Sequence, residues 1–137
     1  MRNVIFILLS YTLILPIIGE NIFKEGEILP ANEAFVVKKI INKNKIAVEW
    51  QIKKGYYLYS DSIKVESLET GLINFDILDE NKIMYTDPFF GETEIIKNKL
   101  IIQIKPEQNL KAKIEIHFQG CSESGFCYPM QKILIQS

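Results

Sequence analysis

Several residue types are scarce. In 137 residues there are one histidine, one tryptophan and two cysteines, and Arg2 is the sole arginine. With no arginine in the body of the chain, it is a poor candidate for bidentate reading of phosphates. A formal net charge of -1 leaves no field to steer nucleic acid. The one histidine, His117, sits between Ile116 and Phe118 with no nucleophile elbow anywhere, which excludes a Ser-His-Asp hydrolase. There is no C-x-x-C pair, so the chain is not itself a thioredoxin. No repeat, low-complexity tract or Pro/Ser-rich linker divides residues 20–137, which read as one domain.

What is present fits an ordinary globular domain, 47% hydrophobic and 24% charged. A core of this size forms without staples, so stability alone does not require the cysteines. The one long apolar run, Val4 to Ile18, follows Arg2 and ends at Gly19 before the charged segment Glu20 to Glu25. Residues 1–19 read as a secretory signal peptide cut after Gly19. The alternative is an uncleaved anchor, but the run falls short of the roughly 20 apolar residues that span a bilayer. Export would put Cys121 and Cys127 in an oxidising compartment, where two thiols can pair.

Period-two alternation marks the rest. Ile46, Val48, Trp50 and Ile52 point one way, with Lys45, Glu49, Gln51 and Lys53 opposite; Leu100, Ile102, Ile104 and Ile114, Ile116, Phe118 repeat the pattern. Shorter β-rich pieces fall at Phe35–Ile41, Tyr56–Tyr59, Ile63–Glu66, Ile73–Leu78, Thr93–Ile96 and Ile133–Ile135. Turns are expected at Asn42-Lys43-Asn44, Lys54-Gly55, Thr70-Gly71, Lys97-Asn98-Lys99 and Lys105-Pro106. No helical stripe persists for three turns. The spacing predicts an all-β, immunoglobulin-like antiparallel β-sandwich with Trp50 in its core.

The chemistry concentrates in Gly120-Cys121-Ser122-Glu123-Ser124-Gly125-Phe126-Cys127-Tyr128-Pro129. Glycines on both sides let the loop return so that the cysteines can meet at its base. Three readings are open. A staple closing so short a loop removes little chain entropy. An exchangeable disulfide would make the pair redox-active. A copper or zinc carrier would use Cys121, Cys127, His117 and Met130, although His117 alternates with apolar residues and reads as a solvated strand position.

The same segment resembles the active-site hairpin of the N-terminal periplasmic domain of the DsbD thiol:disulfide interchange family. Leu29-Pro30-Ala31-Asn32-Glu33-Ala34-Phe35 is similar to the family's opening segment, and Trp50 to Tyr59 to its central strand and turn. Asp87-Pro88-Phe89-Phe90-Gly91 falls where the family carries a cap loop, followed by Glu94-Ile95. The resemblance implies a sandwich with the cysteines at one edge and an enzyme component, a protein-disulfide reductase, needing no organic cofactor or metal. Cys127 would be the attacking thiolate and Cys121 the resolving thiol. Phe89 would be the cap, with Phe90, Tyr57, Tyr59, Phe126 and Tyr128 around the site and Asp87 raising a thiol pKa. Pro88, Phe90 and Met130 depart from the family, which commonly has an acid, a tyrosine and a second proline there; this puts control of the thiol pKa by a second carboxylate in doubt.

Family members continue into a transmembrane and a thioredoxin-like domain, whereas this chain stops at Ser137. The resemblance therefore implies a stand-alone monomeric sandwich, or a fragment, in the periplasm of a Gram-negative bacterium. It would take electrons from a CcdA-like or DsbD-like membrane donor and pass them to thioredoxin-fold acceptors. A binding module with an inert disulfide is the competing expectation.

Overall fold

The computed structural model describes residues 27–42, 45–105 and 113–136. The expected signal peptide, and parts of the turns at Asn42-Lys43-Asn44 and Lys105-Pro106, lie outside them. A single-turn helix, α1 (Ala31–Ala34), leads into β1 (Phe35–Asn42), β2 (Lys45–Ile52) and β3 (Tyr56–Tyr59). After a 3-10 turn at Ser60–Ser62 come β4 (Lys64–Ser67), β5 (Gly71–Leu72), β6 (Phe75–Asp87) and β7 (Gly91–Ile104). The chain closes with β8 (Ile114–Phe118), β9 (Gly120–Ser122), β10 (Phe126–Cys127) and β11 (Gln131–Ile135).

These strands form two antiparallel sheets. The larger runs β1-β2-β7-β3-β9-β10, with β6 also paired to β7; the smaller runs β11-β8-β4-β5. The expected sandwich is present, with the cysteine strands β9 and β10 at one edge of the larger sheet. Alternation explains the layering: along β2, Ile46, Val48, Trp50 and Ile52 are buried while Lys45 and Gln51 are exposed. Between the sheets Trp50 and Phe35 each meet Phe118 edge to face, at ring-centroid distances of 5.7 and 6.1 Å. Leu58, Ile96, Leu100, Ile102, Ile104, Val65 and Ile116 fill the remaining space.

One expectation fails. Lys97-Asn98-Lys99 is not a turn: it lies inside β7, joining what the sequence shows as two short strands. Between the pairs Glu80↔Leu100 and Lys82↔Ile96, these three residues oppose Asn81 alone, and Asn98 takes φ 64°. Asparagine tolerates that left-handed conformation, so a turn-forming residue here makes a bulge. The bulge also marks a change of neighbour: residues 99–104 of β7 pair with β2, while Ile95 and Ile96 pair with β3.

Candidate functional site

Strand β3 faces two ways. Tyr56 and Leu58 enter the main core, whereas Tyr57 and Tyr59 form a separate buried cluster with Ile95 and Cys121 on the outer face of the larger sheet. Register then brings the cysteines in. Tyr57 stands opposite Cys121 across β3–β9, and Cys121 opposite Cys127 across β9–β10. The cysteines are bonded to each other, with Cα atoms 4.0 Å apart. Their hairpin turns through Glu123-Ser124-Gly125, closed by the Gly125 N–H donating to the Ser122 carbonyl at 3.0 Å, with Gly125 at φ 91°.

Gly120 is required on different grounds. A Cβ at this position would lie 2.5 Å from Phe35 Cζ and 2.6 Å from the Tyr57 carbonyl oxygen. Only a bare backbone lets β9 pair with β3 while lying against the Phe35 ring, and so deliver Cys121 to the outer face.

The two sulfurs differ in access: Cys121 is fully buried and Cys127 half-buried. The Tyr59 hydroxyl oxygen lies 3.1 Å from Cys121 Sγ and 3.7 Å from Cys127 Sγ. Its proton goes elsewhere, since Tyr59 donates to Asp87 Oδ2 at 2.8 Å and Tyr57 donates to the same oxygen. The other carboxylate oxygen, Oδ1, accepts the backbone N–H groups of Phe89 (2.8 Å) and Phe90 (3.0 Å). One buried carboxylate thus ties the Asp87–Gly91 loop to the tyrosine pair beside the disulfide.

Burial alone would push the Asp87 carboxyl up, but the donors Tyr57, Tyr59 and the two loop N–H groups outweigh it and hold the group below the ordinary carboxylate range. Burial first, and then the bond to Asp87, push the Tyr59 phenol up to about 12; Tyr57 is raised further by the same two causes. Both phenols therefore stay protonated and remain donors near neutral pH.

The residues expected around the thiols divide into groups. Tyr57, Tyr59 and Asp87 converge as described. In the cap loop, Phe90 meets Tyr59 edge to face with ring centroids 5.2 Å apart, while Phe89 is engaged through its backbone; the side chains are 66% and 55% exposed. Phe126 is exposed next to Cys127 and packs on Tyr128 at 5.0 Å. Tyr128 turns its own ring into the main core against Phe35, and its hydroxyl donates to the Leu29 carbonyl. Three residues were not expected at the site: Ile95, foreseen only as a strand residue, in the tyrosine cluster; Tyr85, tilted against Tyr57 with ring centroids 5.3 Å apart; and Lys97 above Tyr85. They reach the site only through the pairing of β6, β7 and β3, which no local pattern announces.

His117 is not at the site. It lies on the smaller sheet, between Lys64 and Lys132 in register, with Nε2 3.3 Å from Glu115 and 3.8 Å from Glu66. The ligand set Cys121, Cys127, His117 and Met130 is therefore not brought together, and among the described residues no group of three or more His, Cys, Asp or Glu side chains is arranged to hold a metal ion.

Comparison with known proteins places this hairpin in a family. The model for "Thiol:disulfide interchange protein DsbD, N-terminal" matches residues 25–137. The chain belongs to the DsbD N-terminal domain family. DsbD of Vibrio vulnificus strain CMCP6 is 36% identical over 114 residues, covering 80% of this chain and 18% of that protein. DsbD of Photorhabdus laumondii is 30% identical over 135 residues, covering 96% and 23% respectively. The chain thus spans about a fifth of the length of these curated DsbD relatives. The reduced DsbD N-terminal domain of Neisseria meningitidis superposes with a TM-score of 0.68 at 23% identity, over 80% of this chain and 89% of that one, which shows the same fold.

Proposed function

We propose that this domain is a periplasmic thiol:disulfide interchange module. It would relay electrons from a CcdA-like or DsbD-like membrane donor to oxidised thioredoxin-fold proteins. The observation that carries this reading is the asymmetry of a bonded cysteine pair, with Cys127 reachable and Cys121 sealed beneath it against Tyr59. A staple has no use for that difference, whereas exchange through a mixed disulfide requires it.

In the dithiol form, the Cys127 thiolate attacks one sulfur of the acceptor's disulfide. That S–S bond breaks, and the acceptor's second sulfur leaves as a thiolate and takes up a proton. Cys121, deprotonated, then attacks Cys127 Sγ and expels the acceptor's first sulfur, which is protonated in turn. The acceptor gains two electrons and two protons, and Cys121–Cys127 is left oxidised. A dithiol on the membrane donor reverses the sequence and restores the thiols.

The reduced Cys121 thiol can donate to the Tyr59 oxygen, backed by the Asp87 carboxylate, which favours thiol over thiolate until a partner lifts the cap loop. Phe89, Phe90 and Phe126, exposed around Cys127, supply the apolar rim on which that partner would dock. A relative of the same fold has been captured in a complex between the DsbD N-terminal and PilB N-terminal domains of Neisseria meningitidis, with a TM-score of 0.60 and 23% identity over 80% of this chain and 87% of that one.

Trapping tests the division of labour. With an oxidised thioredoxin-fold acceptor, the Cys121→Ser protein should accumulate a mixed disulfide through Cys127, resolved only by added thiol. Cys127→Ser should accumulate essentially none. Equal trapping by the two variants would contradict the assignment, and no trapping by either would contradict the interchange reading.

A further inference from the structure

Resting on that reading, we propose that Lys97 and Glu123 form an ionic latch that holds the tip of the cysteine hairpin and positions the two thiols of the reduced form for ring closure. The latch is needed because β10 is only Phe126–Cys127 and, among the described residues, it pairs with β9 alone at the edge of the sheet. Once the disulfide is reduced, Cys127 loses its covalent tie to Cys121. The turn keeps its internal bonds, from the Gly125 N–H to the Ser122 carbonyl at 3.0 Å and from the Ser124 N–H to Ser122 Oγ at 3.1 Å, and among the described residues it is tied to the neighbouring strands by the Glu123 N–H donating to the Gly55 carbonyl at 2.8 Å and by the Lys97–Glu123 ion pair.

Lys97 is built for this contact. It lies beside the β7 bulge, where Asn98 leaves the inward alternation of Ile96 and Leu100 and becomes exposed. From there the ammonium bonds Glu123 Oε1 while lying 5.6 Å above the Tyr85 ring, which packs at a tilt against Tyr57, the register partner of Cys121. A freely solvated surface pair contributes little, and Glu123 is exposed, but Lys97 is half-buried and its ammonium is backed by an aromatic face. It therefore links the hairpin tip to the tyrosines under the sulfurs. Lys97 and Glu123 are positioning residues: neither is assigned a contact with the sulfurs.

A held tip raises the effective concentration of each thiol toward the other, which favours the disulfide over the dithiol. The test is the thiol–disulfide equilibrium of the full chain, read by thiol trapping in glutathione buffers, for Lys97→Met, Glu123→Gln and the charge-swapped K97E/E123K double variant. Both single variants should shift the equilibrium toward the dithiol by about three- to tenfold, about 15 to 30 mV at about 30 mV per tenfold. The charge swap should recover most of the shift. If Lys97 acted only as a through-space cation on a thiolate, removing the cation and removing the anion would move the equilibrium in opposite directions, and the latch would be wrong. Unchanged single variants, or a swap that recovers nothing, would overturn it equally. Mixed-disulfide formation by wild-type protein, measured alongside, separates the cases: exchange with unmoved variants sinks the latch alone, whereas no exchange sinks the interchange reading and the latch with it.

Discussion

Replacing Asp87 with alanine should destabilise the domain by about 3 kcal/mol, because the buried hydroxyls of Tyr57 and Tyr59 each lose their acceptor at a cost of about 1–3 kcal/mol. The same substitution frees the N–H groups of Phe89 and Phe90 and so unfastens the cap loop. Reduction of the disulfide by dithiothreitol should accelerate about tenfold or more, since reaction through an opened state scales with its population and about 1.4 kcal/mol of lost closure is a factor of ten. Asp87→Asn, which keeps an acceptor oxygen, should lose about 1 kcal/mol. The carboxyl's depressed pKa fixes the pH dependence. Its contribution to wild-type stability is fully present above the ordinary value of 3.8 and is lost as pH falls through the lower folded value. Urea melts between pH 2 and 6 should show a steeper acid limb below pH 3.8 in wild type than in Asp87→Asn. A D87A protein of unchanged stability and unchanged dithiothreitol kinetics would refute the coupling of loop to site.

Gly120→Ala should be the most damaging single-methyl change, destabilising by about 3 kcal/mol, the upper range for overpacking. The added carbon meets two obstacles of different kinds. Phe35 can give by turning its ring, but the Tyr57 carbonyl is backbone in the strand that pairs with β9 and cannot retreat without losing the Tyr57↔Cys121 register. Adding Phe35→Leu should therefore relieve only part of the penalty. Denaturant midpoints of the single and double variants check both statements; a full rescue by Phe35→Leu would show that the backbone contact is not limiting. Mixed-disulfide trapping on Gly120→Ala should fall in step with the lost register, since Cys121 and Tyr57 are placed by it.

Much of the sandwich could be read from alternation. The inward set Ile46, Val48, Trp50 and Ile52 and the set Ile114, Ile116 and Phe118 are buried as their period-two spacing requires. A half-buried strand leaves that signature locally. The failure at Lys97-Asn98-Lys99 has the same origin, because a residue suited to positive φ serves a turn and a bulge equally and only the strand partners decide. At the site, the cysteine loop could be read from its two glycines, and the same-face pair Tyr57 and Tyr59 from alternation. The meeting of Asp87 with Tyr57 and Tyr59 was expected from the family resemblance and not from local pattern. Lys97 reaches Glu123 across 26 positions, a distance at which no pattern of propensities carries information. The division of labour in the cap loop was hidden for the same reason: the sequence shows two adjacent phenylalanines, and the twist of the long β6–β7 hairpin lays Phe90 against Tyr59.

The central claim is that the bond between Cys121 and Cys127 is made to be exchanged. Its reduction potential tests this most directly, measured by thiol trapping of the purified domain across glutathione and dithiothreitol buffers. A value between about −180 and −270 mV is expected, the range of exchangeable carriers. A value below about −300 mV would mark a structural disulfide and contradict the claim.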